Sequence, residues 1–137
     1  MKISFIVPVY NTEYQILRIC INSILHCLGD QHELIIVDDA SSSSVVTEFL
    51  NRCDTNTKFN IKVLRNQENS GVSYSLTKGV AASTGRFIAP VDHDDLVIPS
   101  GIRAICMYIG YYHVPWVYSD ETQVTKNGYF LRYLFKP

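Results

Sequence analysis

Asp92, Asp94 and Asp95 place three carboxylates within four residues, at the end of the apolar run Phe87-Ile88-Ala89-Pro90-Val91. Like charges this close repel one another. A hard divalent cation offsets the repulsion, and Mg²⁺ or Mn²⁺ prefers such oxygen ligands. Mg²⁺ is usually held by one or two carboxylates together with substrate phosphates. Asp92, Asp94 and Asp95 are therefore candidate metal ligands, at a place where a phosphate-bearing substrate would meet the metal. The same residues also suit a solvated acidic turn that caps a following helix, because aspartate is common in both settings. His93 lies among hard oxygen donors and reads as the variable position of the acidic motif, rather than as a zinc ligand or general base.

Other polar groups sit at comparable places. Asp38-Asp39 closes a second apolar run. A carboxylate there can accept a ring N–H of uracil, thymine or guanine and can hold a ribose hydroxyl; an Asx turn helped by Ser41 to Ser44 would use it equally well. As a residue past a strand end, Asp39 is expected to be dispensable for folding. Asn69-Ser70-Gly71 precedes a helical stretch and can aim backbone N–H groups at an anion or simply start the helix. Lys78 lies within reach of a phosphate or of solvent. Asp120-Glu121 can meet sugar hydroxyls or stand at a hairpin edge. Tyr108, Tyr111, Tyr112, Trp116 and Tyr118 read as packing rather than as a sugar platform.

Alternating strands and helices must position these groups. Ile3 to Val9, Glu33 to Val37, Ile61 to Leu64 and Phe87 to Val91 read as buried strands, with Val114 to Tyr118 as a fifth. Thr12-x-x-Gln15 is a capping-box pattern opening a helix with Ile16, Leu17, Cys20, Ile21, Ile24, Leu25 and Leu28 inward and Gly29 as its stop. A second helix turns Val45, Val46, Phe49, Leu50 and Cys53 inward. A third runs from Gly71 to about Ser83 on Val72, Leu76 and Val80. A fourth starts at Pro99 and carries Ile102, Ile105, Cys106 and Ile109. Asn127-Gly128 is the usual two-residue hairpin turn. The pattern predicts an α/β fold, a mainly parallel sheet with helices on both faces and a C-terminal hairpin. Ligands of such sheets bind at the carboxyl ends of the strands, where strand order reverses. If the first and fourth strands are neighbours, the ends of the second and fourth lie ~10 Å apart, close to the span from base to pyrophosphate in an extended nucleotide.

Composition narrows the class. The chain has 137 residues, long enough for one domain with a sizeable core, and a net charge of −1, which gives no broad basic field for nucleic acid. Cys20, Cys27, Cys53 and Cys106 lack C-x-x-C spacing and read as reduced core thiols of a cytoplasmic protein. Ile102 to Tyr118 is interrupted by Arg103, His113 and Pro115 and is too short to span a bilayer. The G-x-G-x-x-G of a dinucleotide fold, the P-loop and the G-x-S-x-G elbow are all missing.

Taken together, the residues resemble the inverting family 2 glycosyltransferases of the A-type fold. The likeness runs through Ile6-Val7-Pro8-Val9-Tyr10-Asn11, Glu33 to Ser41, Asn69-x-Gly71-x-Ser73, Gly79, Thr84 to Ala89 and the D-x-D region Val91 to Leu96 with Pro99. Tyr118-Ser119-Asp120-Glu121 and Phe135-Lys136-Pro137 are similar to a bacterial subgroup that builds surface polysaccharides. The resemblance implies binding of a UDP-, dTDP- or GDP-linked sugar with Mg²⁺ or Mn²⁺, and transfer to a glycan or lipid-linked acceptor. It assigns the base to Asp39, ribose and metal to the acidic triad, and a wall of the nucleotide pocket to Pro8 and Tyr10. The nucleotide-binding set is thus Pro8, Tyr10, Asp38, Asp39, Asn69, Gly71, Lys78, Asp92 and Asp94. Many members carry Ala-Arg-Asn where this chain has Ser75-Leu76-Thr77, leaving Lys78 or Arg86 as the basic substitutes. The resemblance also implies that residues 1–137 are one A-type domain ending before the acceptor-binding half and its catalytic base. A cytoplasmic protein, peripheral at the inner membrane face and self-associating, is the accompanying expectation; a non-catalytic nucleotide-binding or interaction module of the same fold is the alternative.

Overall fold

A computed structural model describes residues 1–29, 31–125 and 127–135. The Lys136-Pro137 end of the resemblance lies outside the described residues. The elements in order are β1 (Ile3–Val9), α1 (Tyr14–Leu28), β2 (Glu33–Asp38), α2 (Ser44–Asp54), β3 (Ile61–Arg65), α3 (Val72–Ala82), β4 (Phe87–Pro90), α4 (Pro99–Tyr112), β5 (Glu121–Val124) and β6 (Phe130–Leu134). They fall into two compact units, Met1–Ala104 and Ile105–Pro137.

In the first unit four parallel strands pair in the order β3-β2-β1-β4. The first and fourth strands are neighbours. Every residue of β1 and β2 is buried, which is why both read as near-continuous apolar runs. Side chains alternate across the sheet. Ile6, Ile35 and Val37 share a core cluster with Leu64 and with Leu76 and Ala82 of α3. Right-handed crossovers put α1 and α2 on the opposite face, because the chain moves from β1 to β3 in one direction and returns to β4 in the other.

α3 lies against the sheet through small residues. Its buried positions are Ser75 and Gly79. A Cβ on Gly79 would stand 2.4 Å from Cγ2 of Ile6 and 3.4 Å from Cγ2 of Val37. The inward stripe expected from Val72, Leu76 and Val80 is therefore corrected: Val72 is 56% and Val80 48% exposed. Where the helix crosses Ile6 there is room only for a small residue, while Leu76 packs beside that crossing. Val45 of α2 also points outward, leaving Val46, Leu50 and Cys53 inside. The capping box does not form. Asn11 adopts a left-handed φ of 48°, Thr12 is drawn into the interior, and the helix is capped at Glu13 without a side-chain bond.

A charged lock closes the amino end of the sheet. Glu33 accepts from Ser4 Oγ at 2.5 Å, from Thr84 N at 2.6 Å and from Thr84 Oγ1 at 2.9 Å, and pairs with Lys2 at 3.3 Å. Gly85 N donates to Ser4 Oγ at 2.8 Å, and a Cβ on Gly85 would meet that oxygen at 2.4 Å. Burial raises the Glu33 pKa, but the bonds from Ser4, Thr84 and Lys2 outweigh it and bring it down to about 2.

In the second unit β5 and β6 form an antiparallel hairpin with a register shift at Gln123/Val124. Gly128, at φ 82°, donates to Thr125 O, and Thr125 N donates to Tyr129 O, both at 2.8 Å. The hairpin thus closes across a wider loop than the two-residue turn expected. No strand forms over Val114 to Tyr118. His113 turns the chain at φ 54°, and Pro115 removes a ladder donor. Trp116 stacks on Tyr118 with ring centroids 5.5 Å apart. No helix among the described residues is long and apolar enough to cross a membrane.

Two glycine substitutions should move stability in opposite directions. Gly79→Ala is expected to destabilise by about 1–3 kcal/mol through overpacking, more than the about 1 kcal/mol gained in helix propensity. Gly110→Ala, with nothing within 4 Å of the added Cβ, should stabilise by about 0.5–1 kcal/mol; urea denaturation reads both. Glu33 ionises more easily folded than unfolded, so its contribution is complete above its ordinary value near 4.5 and fades as pH falls toward about 2. Glu33→Gln should flatten that acid limb of a Tm-versus-pH curve.

Candidate functional site

Three hydrogen bonds extend the strand ladder beyond the strand ends. Asp39 N donates to Val9 O at 2.8 Å, Asn66 N to Asp38 O at 2.8 Å, and Val91 N to Ile6 O at 3.0 Å. They fix the polar residues that follow β2, β3 and β4 along one sheet edge. Strand order reverses between β1 and β4, the place where such sheets bind ligands. A hollow of about 130 Å³ opens there, lined by Pro8, Val9, Tyr10, Asp39, Val72, Ser75, Asp92 and His93. Pro8, Tyr10, Asp39 and Asp92 of the expected set are thus brought together.

Asp38 and Asp39 point to opposite faces, as strand alternation requires. Asp38 accepts from Ser41 N at 3.0 Å and lies 3.9 Å from Arg65 Nε. It holds the loop after β2 and does not line the hollow. Asp39 is only 3% exposed. Its Oδ1 accepts from Asn66 Nδ2 at 2.6 Å and Ser70 N at 2.9 Å, and its Oδ2 from Gly71 N at 2.8 Å. Burial pushes this carboxyl up, but the bonds from Asn66, Ser70, Gly71 and Ser75 prevail and hold it below the usual aspartate value. Far from being dispensable, Asp39 joins the end of β2 to the start of α3. Gly71, at φ 87°, suits that junction because it lets the N–H turn back onto the carboxylate.

Asn69 Oδ1 also accepts from Gly71 N, at 3.1 Å, in an Asx turn. Lys78 is held elsewhere: its Nζ donates to Arg65 O at 2.7 Å and to Asn66 Oδ1 at 2.8 Å. Asn66 is the residue that sequence reasoning missed. It bonds Asp39, Ser75 and Lys78 at once. Its position directly after β3, at the carboxyl edge of the sheet, was the available signal. His93, the variable position of the acidic motif, lines the hollow with Nδ1 buried and lacking a hydrogen-bond partner among the described residues.

The acidic turn is closed by Asp95 N donating to Asp92 O at 3.0 Å. Asp92, Asp94 and Asp95 are exposed, and Asp92 alone of the three lines the hollow. No group of three metal-ligating side chains converges among the described residues. The three carboxylates therefore do not form a ready cage. Their field is felt inside the protein. Burial, then Asp95, Asp94 and Asp92, push the Cys20 thiol up to about 12.

Asp39→Ala is expected to destabilise the fold by about 2–4 kcal/mol, since it leaves the Ser70 and Gly71 N–H groups and the Asn66 amide without their acceptor. Chemical denaturation checks it; a loss below about 0.5 kcal/mol, ordinary for a surface site, would show the junction to be unimportant. Because Asp39 is depressed in the folded state, the stability it adds above the unfolded aspartate pKa should be lost as pH falls through the folded one.

Residues 4–128 match the sequence profile of Glycosyl transferase family 2. The putative glycosyltransferase EpsH of Bacillus subtilis is 38% identical over 99 residues, covering 71% of this chain and 27% of EpsH. WfgD of Escherichia coli, a UDP-Glc:alpha-D-GlcNAc-diphosphoundecaprenol beta-1,3-glucosyltransferase, is 27% identical over 126 residues, 92% of this chain and 48% of WfgD. The crystal structure of S. aureus TarS 1-349 in complex with UDP-GlcNAc matches with a TM-score of 0.71 and 27% identity, over 82% of this chain and 32% of that one. The chain spans less than half the length of each of these relatives. With a parallel sheet in the order β3-β2-β1-β4 and a hollow carrying Asp39 and Asp92 at its reversal point, the chain belongs to glycosyl transferase family 2, in its A-type fold.

Proposed function

We propose that residues 1–137 form the donor-binding side of a glycosyltransferase that takes its sugar from a uridine diphosphate carrier and passes it, with inversion, to a glycan or lipid-linked acceptor. The observation that carries this reading is the pairing of Asp39 and Asp92 across one hollow at the β1/β4 reversal point. The UDP-GlcNAc complex of TarS and the UDP-Glc donor in the name of WfgD support a uridine carrier over dTDP or GDP. A peripheral location at the cytoplasmic membrane face accords with a lipid-linked acceptor.

The base lies between Pro8 and Tyr10, with its ring N–H toward Asp39. The Asp39 oxygens already accept from Asn66, Ser70 and Gly71, and Ser75 adds to them. Of these donors the Ser75 hydroxyl rotates most freely, and it gives way to the base. Asp92 receives the ribose, and the diphosphate extends over the acidic turn. Two carboxylates and two phosphate oxygens make a hard oxygen set that fits Mg²⁺ or Mn²⁺ without a preformed protein cage. Asp92 and Asp94 would hold the ion, with Asp95 supporting the turn. When bound, the metal supplies positive charge to the leaving diphosphate. The chain's own residues orient the nucleotide and keep water from its base.

Calorimetry with UDP, dTDP and GDP, each with Mn²⁺ or Mg²⁺ and with EDTA, tests the reading. UDP should bind best, and EDTA should weaken it by about tenfold or more, equal to about 1.4 kcal/mol. Asp94→Ala should remove the metal-dependent part. Equal UDP affinity in EDTA would take the metal out of the proposal, and failure of all three nucleotides to bind would end it.

A further inference from the structure

Between Asp92 and Val97 the chain carries three carboxylates, and α1 touches this segment at both ends. Cys20 Sγ donates to Asp92 O at 3.5 Å. Val97 N donates to Ser23 Oγ at 3.0 Å. Ser23 Oγ in turn donates to Cys20 O at 2.7 Å, so its hydroxyl has both roles filled and a fixed direction. Cys20 and Ser23 are three residues apart and lie one above the other on the same face of α1. That helix is firmly seated: Leu17, Cys20, Ile21, Ile24 and Leu28 are fully buried.

We infer that Cys20 and Ser23 are positioning residues, a two-point clamp by which α1 sets the shape of the acidic turn and thereby its metal-dependent grip on the donor diphosphate. The inference rests on the nucleotide reading above. Its physical basis is a competition. Repulsion among Asp92, Asp94 and Asp95 favours an opened turn. A metal held by one or two of them needs their oxygens at fixed separations. The bond from Asp95 N to Asp92 O spans the first half of the turn. The Val97 anchor on Ser23 secures the second half, and the Cys20 thiol, a weak donor, secures the entry from β4. Of the two, Ser23 is the stronger point.

The test measures UDP affinity in Mn²⁺ and in EDTA for each protein and takes the ratio. Ser23→Ala is expected to lower that ratio by about tenfold, with UDP binding in EDTA changed less than about twofold. Ser23→Thr, which keeps the hydroxyl, should restore the ratio. Val63→Ala, a core truncation on β3, should lower Tm and leave the ratio alone, separating positioning from general loss of stability. Mn²⁺ titrated alone and followed by EPR should show the same weakening in Ser23→Ala. An unchanged ratio in Ser23→Ala, or an equal loss in Val63→Ala, overturns the clamp. Should Ser23→Ala not fold, Cys20→Ala against Cys20→Ser reads the other anchor: the ratio must fall with alanine and hold with serine, and any other result overturns it. A wild-type protein that binds UDP equally in Mn²⁺ and EDTA is a different outcome, and sinks the metal-dependent nucleotide reading itself.

Discussion

A buried carboxylate must find donors, and Asp39 finds them at two places outside its own strand. Its bonds to Asn66, Ser70 and Gly71 tie the end of β2 to the residue after β3 and to the start of α3. An isolated charge in that position would be expensive. The surrounding backbone is therefore shaped to point N–H groups inward. That requirement explains the left-handed Gly71, the Asx turn at Asn69 and the capture of Lys78 by Asn66. Val72 and Ser75, which wall the hollow, are placed by the same junction. The group proposed to read the base is thus also the group that builds the wall around it.

The opposite end of the sheet uses similar physics for a different purpose. Glu33 gathers Lys2, Ser4 and Thr84 and sets β1, β2 and the approach to β4 in register. Glu33, Thr84 and Gly85 all belong to the stretches by which the chain resembles its family. They lie at the amino ends of the strands, away from the hollow, and their role is architectural. A motif shared across a family therefore mixes residues that do chemistry with residues that keep two strand ends from drifting apart.

The sheet was legible in the sequence because doubly covered parallel strands read as unbroken apolar runs, and β1 and β2 are buried throughout. The inner face of α3 was not. Its closest contact is made by Ser75 and Gly79, and a rule that looks for bulky apolar residues finds Leu76 but adds the exposed Val72 and Val80. Thr12 carried a capping signature, but the left-handed turn at Asn11 sends it inward, a matter of backbone direction that composition does not record. At the site, Asp39 and Asp92 were legible from their places after strands, and Pro8 and Tyr10 from the family resemblance. Asn66 and His93 were not, because their importance lies in partners far away in sequence or in a cavity wall. The spacing of Asp92, Asp94 and Asp95 shows charge density, but it cannot show that three side chains on a turn diverge.

Gly79 stands one turn past Ser75 and two past Val72 on α3, and its missing side chain lets the helix settle onto Ile6. The height of that seat fixes where Val72 and Ser75 stand relative to Pro8 and Tyr10 on the sheet. The width of the hollow is thus set from beneath, at a distance from the residues that line it. Among proteins of this fold, changes at this seat would act as a spacer, altering which rings fit without altering a single contacting group.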